Sequence, residues 1–206
     1  MKQKPEIIIM ILSWFAVVVQ FILIILNRQA AIFETIVRFF SFFTILTNIL
    51  VGLYFTTIVC HLYKFPFSLF RNKGALTAIT AFIFIVGLVY QVVLRNIWAP
   101  TGLQFIIDEL LHTVIPIFML FYWFFNIRQY EVKILPLALW LLYPLVFIIF
   151  LLLRGHFSGY YPYPFLNVTE IGYYQTFTNV GIIFGVALIV LSILLLIGKT
   201  IFKNKP

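Results

Sequence analysis

Cysteine is almost missing from this chain. Cys60 is the only one in 206 residues, which excludes an internal disulfide and a cysteine metal cluster. Charge is scarce too: Asp, Glu, Lys and Arg make up 10% of the residues, against about 25% in an ordinary soluble domain. Only six of those are acidic, and the formal net charge is +8. The cations are scattered rather than gathered in a run, so they do not track a nucleic-acid backbone. No small-x-small cleavage site follows the first apolar run. That run is also too long for the core of a secretory signal, so it is expected to stay in the protein as a span.

What is abundant is hydrocarbon. The chain is 64% hydrophobic, with mean hydropathy +1.11, 25 Phe and 11 Tyr. Six apolar segments stand out: Ile7–Leu26, Ile36–Cys60, Ala75–Leu94, Leu103–Phe125, Leu135–Leu153 and Tyr173–Ile197. Each is near the roughly 20 residues that cross a bilayer. The pattern predicts an all-α integral membrane bundle of six transmembrane helices, one domain over residues 1–206. Loops are short, so consecutive helices are expected to be antiparallel neighbours. Pro116 and Pro144 fall inside spans and predict kinks in the fourth and fifth.

Orientation follows from the cations. Lys2, Lys4, Lys64, Arg71, Lys73, Arg128, Lys133, Lys199, Lys203 and Lys205 fall on one side of the six spans. Arg28, Arg38, Arg95 and Arg154 fall on the other. Lys and Arg collect in cytoplasmic loops, so both termini are expected in the cytoplasm.

Against that background the polar residues within the spans are conspicuous. Arg38, Ser41, Thr44, Thr47 and Asn48 lie on the second segment. Tyr90, Gln91 and Arg95 lie on the third, and Asp108, Glu109, His112 and Thr113 on the fourth. A charge at mid-bilayer costs at least about 2.5 kcal/mol on insertion scales, so such residues normally face a bundle interior and mark function. In the expected topology all of them, with Gln20 and Asn179, fall at one depth in the outer half. The inner halves are nearly pure Leu, Ile, Val and Phe. An asymmetric pocket fits this better than a through-going channel, which needs polar groups at every depth. The loop Gly155–Gly172 is rich in aromatics and prolines. It reads as an interfacial aromatic belt or as a lid over that pocket.

Helical phase sets the chemistry. Thr44 and Asn48 share a face with Ser41 one turn earlier; Asp108 pairs with His112, Glu109 with Thr113, and Gln91 with Arg95. If these stripes face one another, the site has the inventory of a nucleophilic hydrolase. A threonine hydroxyl, from Thr44 or Thr47, needs a base within hydrogen-bond reach, and His112 is the only histidine inside a span at this depth. Asp108 or Glu109 is the candidate to orient the imidazole, with pairing to Arg38 or Arg95 as their alternative role. Asn48 or Gln91 is the candidate oxyanion donor. The bland alternatives are threonines bonded to their own backbone, a closed polar network, or a proton relay. Glu109 and His112 have the i, i+3 spacing of a di-metal ligand pair, but that site needs a second copy of the motif and none exists. No metal and no cofactor are expected.

The same residues carry a family likeness. The chain resembles, over nearly its whole length, the six-span bacterial membrane proteins grouped with the androgen-induced and androgen-dependent transmembrane proteins of animals. The likeness rests on Phe39–Asn48 (FFSFFTILTN) and Asp108–Pro116 (DELLHTVIP), with Trp98–Gly102 and Tyr161–Phe165 typical of the bacterial branch. It implies an intramembrane threonine hydrolase of fatty-acid esters of hydroxy fatty acids, in a bacterial inner membrane. By resemblance the threonine falls on Thr44 and the histidine on His112. The expected partner is a membrane lipid or acyl-ester substrate, met by Arg38, Ser41, Thr47, Asn48, Tyr90, Gln91 and Arg95. A lipid-binding or transport protein that holds a head group without turnover is the reading from another class.

Overall fold

The computed structural model describes residues 3–203. Lys2 and Lys205, two of the cations used above for orientation, lie outside them. Every regular element among the described residues is helical. In chain order these are α1 (Lys4–Leu26), α2 (Ile32–Phe40), α3 (Phe43–Val59), α4 (Ala75–Val89), α5 (Gly102–Glu109), α6 (Ile115–Asn126), α7 (Ile134–Trp140), α8 (Leu142–Ser158) and α9 (Val168–Lys203). A π turn, Tyr90–Leu94, extends α4, and another, Leu110–Val114, joins α5 to α6. Five helical stretches are long and apolar enough to cross a membrane, and a sixth forms if α2 and α3 count as one bent span.

The bend corrects the expected continuous second span. α2 and α3 meet at 69° across Ser41 and Phe42. No proline or glycine causes it. The Ser41 N–H closes on the Arg38 carbonyl and its hydroxyl on the Val37 carbonyl at 2.7 Å, which ends α2. Phe42 is extended, and α3 restarts at Phe43. Aromatic packing holds both sides of the break: Phe39 against Phe21, Phe43 against Tyr143 and Phe147. Arg38 therefore sits on a short tilted helix rather than along the span. The expected kinks take other forms. Pro116 follows the π turn and, lacking an N–H, cannot donate to the His112 carbonyl four residues earlier. The fifth segment breaks at Leu141, just before Pro144.

α4 is the central helix, buried on every side from Ala75 to Ile83, and packs on α3, α6 and α9. Gly87 allows its closest approach: a Cβ there would stand 2.9 Å from the His112 carbonyl oxygen. Polar contacts fix the end of the bundle where α1 begins and α9 ends. The Trp123 indole donates to Thr77, and the Tyr122 hydroxyl donates to Glu6.

Glu131, in the loop between α6 and α7, caps α4 by accepting the Leu76 N–H at 3.1 Å. Its carboxyl is buried, and burial pushes its pKa from the ordinary 4.5 up to about 7 although those backbone donors oppose the shift. The folded state thus holds a proton that the unfolded chain releases. Stability is full below about pH 4.5, falls as pH rises to about 7 and is level above, a window of about 3 kcal/mol at about 1.4 kcal/mol per pH unit. Thermal unfolding in detergent should show a lower Tm at pH 8 than at pH 5. In Glu131→Gln most of that difference should vanish; an unchanged difference refutes the assignment.

Candidate active site

At the opposite end of the bundle, α1, α2, α3, the two π turns and the loop after α8 enclose a cavity of about 510 Å³. Its walls are largely apolar, with Leu23, Ile24, Phe39, Ile45, Leu94 and Leu111 among them. Of the residues singled out in the sequence, Arg38, Thr44, Tyr90, Asp108 and His112 line it, together with Gln20.

Thr44 occupies the first turn of α3, directly after the bend, so its hydroxyl faces the cavity at a helix N-terminus. His112 sits in the second π turn, and its Nε2 lies 3.3 Å from Thr44 Oγ1. The other ring nitrogen, Nδ1, lies 2.9 Å from the Asp108 backbone carbonyl. A carbonyl only accepts, so Nδ1 carries the hydrogen and the neutral ring presents the Nε2 lone pair to Thr44. Tyr90, buried in the first π turn, stacks on the imidazole with ring centroids 4.1 Å apart and planes 14° from parallel. Both π turns thus hold the same ring. Such turns recur at functional sites because the extra residue re-aims side chains without ending the helix.

Neither carboxylate reaches the imidazole, and Glu109 takes the alternative role expected for it, as the partner of an arginine. Asp108 receives the Trp98 indole N–H and the Gln104 amide, and Gln104 also donates to Gln20. Asp108 therefore orients His112 through its backbone, not its carboxylate. Glu109 pairs with Arg95 at 2.8 Å. Arg95 also donates to Gln91, and Gln91 to Thr113, which completes a network on the outer face of the helices. Gln91, Arg95 and Glu109 do not line the cavity. Tyr90 lines the cavity, whereas the adjacent Gln91 lies outside it.

Thr47, Asn48 and Ser41 are fully buried but point away from the cavity. Thr47 pairs with the Tyr143 hydroxyl at 2.9 Å. The Asn48 amide donates to the carbonyls of Thr44 and Leu111, which ties α3 to the turn carrying His112. Both Asn48 amide hydrogens are therefore engaged by backbone carbonyls, and Gln91 donates to Thr113 outside the cavity. Asn179 donates to the Phe165 carbonyl, so it braces the loop rather than joining the site.

The loop after α8 supplies what the pattern missed. Gly159 turns the chain at φ 69°. Arg38 and Arg154 share the Glu34 carboxylate at 2.8 and 2.6 Å and flank the Tyr160 ring at 4.0 and 4.9 Å. Two cations and one anion leave a surplus positive charge beside the cavity, and Arg28 adds another on its lining. Tyr163 folds inward, 8% exposed, and its hydroxyl accepts the Phe43 N–H at 2.8 Å.

No family model, curated protein or solved structure matches this chain. The site must therefore be read from its own geometry. Among the described residues no three His, Cys, Asp or Glu gather to hold a metal ion. What remains is a hydroxyl, a correctly polarised imidazole and an apolar cavity beside them.

Proposed function

We propose that this chain is a multi-pass membrane protein of six spans with both termini in the cytoplasm. We further propose that it is an intramembrane lipid ester hydrolase with Thr44 as nucleophile and His112 as general base. Counting α2 and α3 as one bent crossing supports the six spans, and an even number returns the C-terminus to the side of the N-terminus. Lys4, Lys64, Arg71, Lys73, Arg128, Lys133 and Lys199 lie toward that side, as cytoplasmic loops require. The family likeness in the motifs around Thr44 and His112 points the same way.

The observation that carries the hydrolase reading is the direction of the line from Thr44 to His112 to the Asp108 carbonyl. Thr44 Oγ1 attacks the acyl carbon and gives its proton to His112 Nε2, which then returns it to the leaving alcohol. The acyl group stays on Thr44 until water, deprotonated by the same nitrogen, releases it. The hydrogen bond from Nδ1 to Asp108 keeps the ring in the required tautomer, and Tyr90 holds its plane. The distance of 3.3 Å is long for a hydrogen bond but usual for a catalytic pair without substrate. The α3 N-terminus favours negative charge at the reacting oxygen. The acyl chain lies along the apolar wall, and Arg38 beside Glu34 and Arg154 meets the polar end of the substrate.

The direct test treats the purified protein with a long-chain fluorophosphonate, digests it and locates the adduct. The expected adduct is on the peptide carrying Thr44. Protein that folds, takes no adduct and retains an intact lipid overturns the reading in favour of lipid binding without turnover.

A further inference from the structure

An acyl transfer at Thr44 generates negative charge on the carbonyl oxygen of the ester, and the residues expected to meet it are engaged elsewhere. Asn48 bridges two backbone carbonyls, and Gln91 lies outside the cavity. The Trp98 and Gln104 donors are held by Asp108. Tyr163 remains. It lines the same cavity as Thr44, and its side chain is fixed from three sides: edge-on to Phe42, stacked on Phe165, and hydrogen-bonded at the oxygen.

The direction of its hydrogen bonding is what matters. The oxygen accepts from the first backbone N–H of α3, so the α3 N-terminus polarises the phenol. With the Phe43 N–H on its acceptor side, the hydroxyl hydrogen points away from that group. The hydroxyl thus stands at the residue next to Thr44, in the cavity that both side chains line and where the acyl carbon will bind. Burial raises the phenol well above its ordinary pKa, so it keeps that hydrogen. Pro162 and Pro164 bracket the residue and stiffen the backbone that presents it.

We infer that Tyr163 is the oxyanion donor of this site, a role that rests on the hydrolase reading. As Thr44 Oγ1 forms its bond to the acyl carbon, its proton passes to His112. The carbonyl π electrons move onto oxygen, and the Tyr163 hydroxyl donates a hydrogen bond to that oxygen. Collapse re-forms the carbonyl, releases the hydrogen bond and expels the alcohol, protonated by His112. Tyr163 transfers no proton.

The test compares p-nitrophenyl dodecanoate with its thiono counterpart, in which C=S replaces C=O and accepts hydrogen bonds poorly. In the full-length protein in nanodiscs, Tyr163→Phe should lower kcat for the oxoester about 100-fold, the loss seen when one oxyanion donor is removed. KM should stay within about twofold, and kcat for the thionoester should change several-fold less than for the oxoester. Equal losses on both esters overturn the inference in favour of a role in positioning Thr44, and so does an unchanged oxoester kcat. If Tyr163→Phe does not fold, a fluorotyrosine at position 163 keeps the hydroxyl and makes it a stronger donor. The oxoester-to-thionoester rate ratio must then move, and a fixed ratio overturns the inference. Wild-type protein inert to both esters overturns the hydrolase reading itself, whereas active wild type with an indifferent Tyr163 overturns the inference alone.

Discussion

Thr44→Ala should abolish ester turnover, by a factor on the order of 10⁴ if Thr44 is the nucleophile. Thr47→Ala, three residues on along α3, should retain it within about tenfold. The two substitutions remove the same group, so composition and hydropathy do not separate them. Geometry does. Thr44 Oγ1 faces His112 Nε2, whereas Thr47 Oγ1 pairs with Tyr143 in a fully buried contact away from the cavity. Loss of the Thr47–Tyr143 pair should cost stability, at about 1 kcal/mol for a buried hydrogen bond. The measurement is kcat with a long-chain ester and Tm for both proteins. Loss of turnover in Thr47→Ala with Thr44→Ala still active refutes the nucleophile assignment.

His112→Ala should be nearly as damaging, with kcat lower by about 10³ or more, because a base and its nucleophile act as one unit and their losses do not add. The double variant with Thr44→Ala should therefore be no worse than either single change. Because the ring lines a cavity, added imidazole should restore part of the activity in His112→Ala and none in Thr44→Ala. Asp108→Asn separates the backbone from the side chain. The carbonyl that orients the ring survives this change, and an amide still occupies the place held by Trp98 and Gln104. Its kcat should fall far less than that of His112→Ala. A collapse equal to that of His112→Ala shows that the Asp108 charge, not the backbone carbonyl, is what supports the imidazolium.

The parts of the site that were legible in sequence are those defined by rarity. A histidine, an aspartate and an arginine inside apolar segments need no structure to be noticed, since the bilayer makes each costly. The i, i+4 relation of Asp108 and His112 was legible too, and it holds through the backbone carbonyl. Pairing with Arg95 was one of the roles left open for Glu109, and the structure chose it. The Asn48 assignment was not legible, because the Leu111 carbonyl it meets is distant in sequence. Tyr163 was hidden in a loop where aromatic residues are the default at an interface. Its Pro-Tyr-Pro frame was the one signal of a fixed side chain.

The residues alone tell that the chain is apolar enough to live in a membrane, that its regular structure is helical, and which few polar groups enter the helices. These are one-dimensional properties: hydrophobic run length, charge scarcity and spacing along a helix face. Only the tertiary structure decided that the second segment bends at Ser41, that two π turns aim Tyr90 and His112 at each other, and that Thr44 rather than Thr47 meets the imidazole. A π turn adds one residue to a helix and a bend re-aims its axis, and neither changes hydropathy. Side chains three positions apart then exchange the cavity for the core, and no periodicity in an almost uniformly apolar sequence records the exchange.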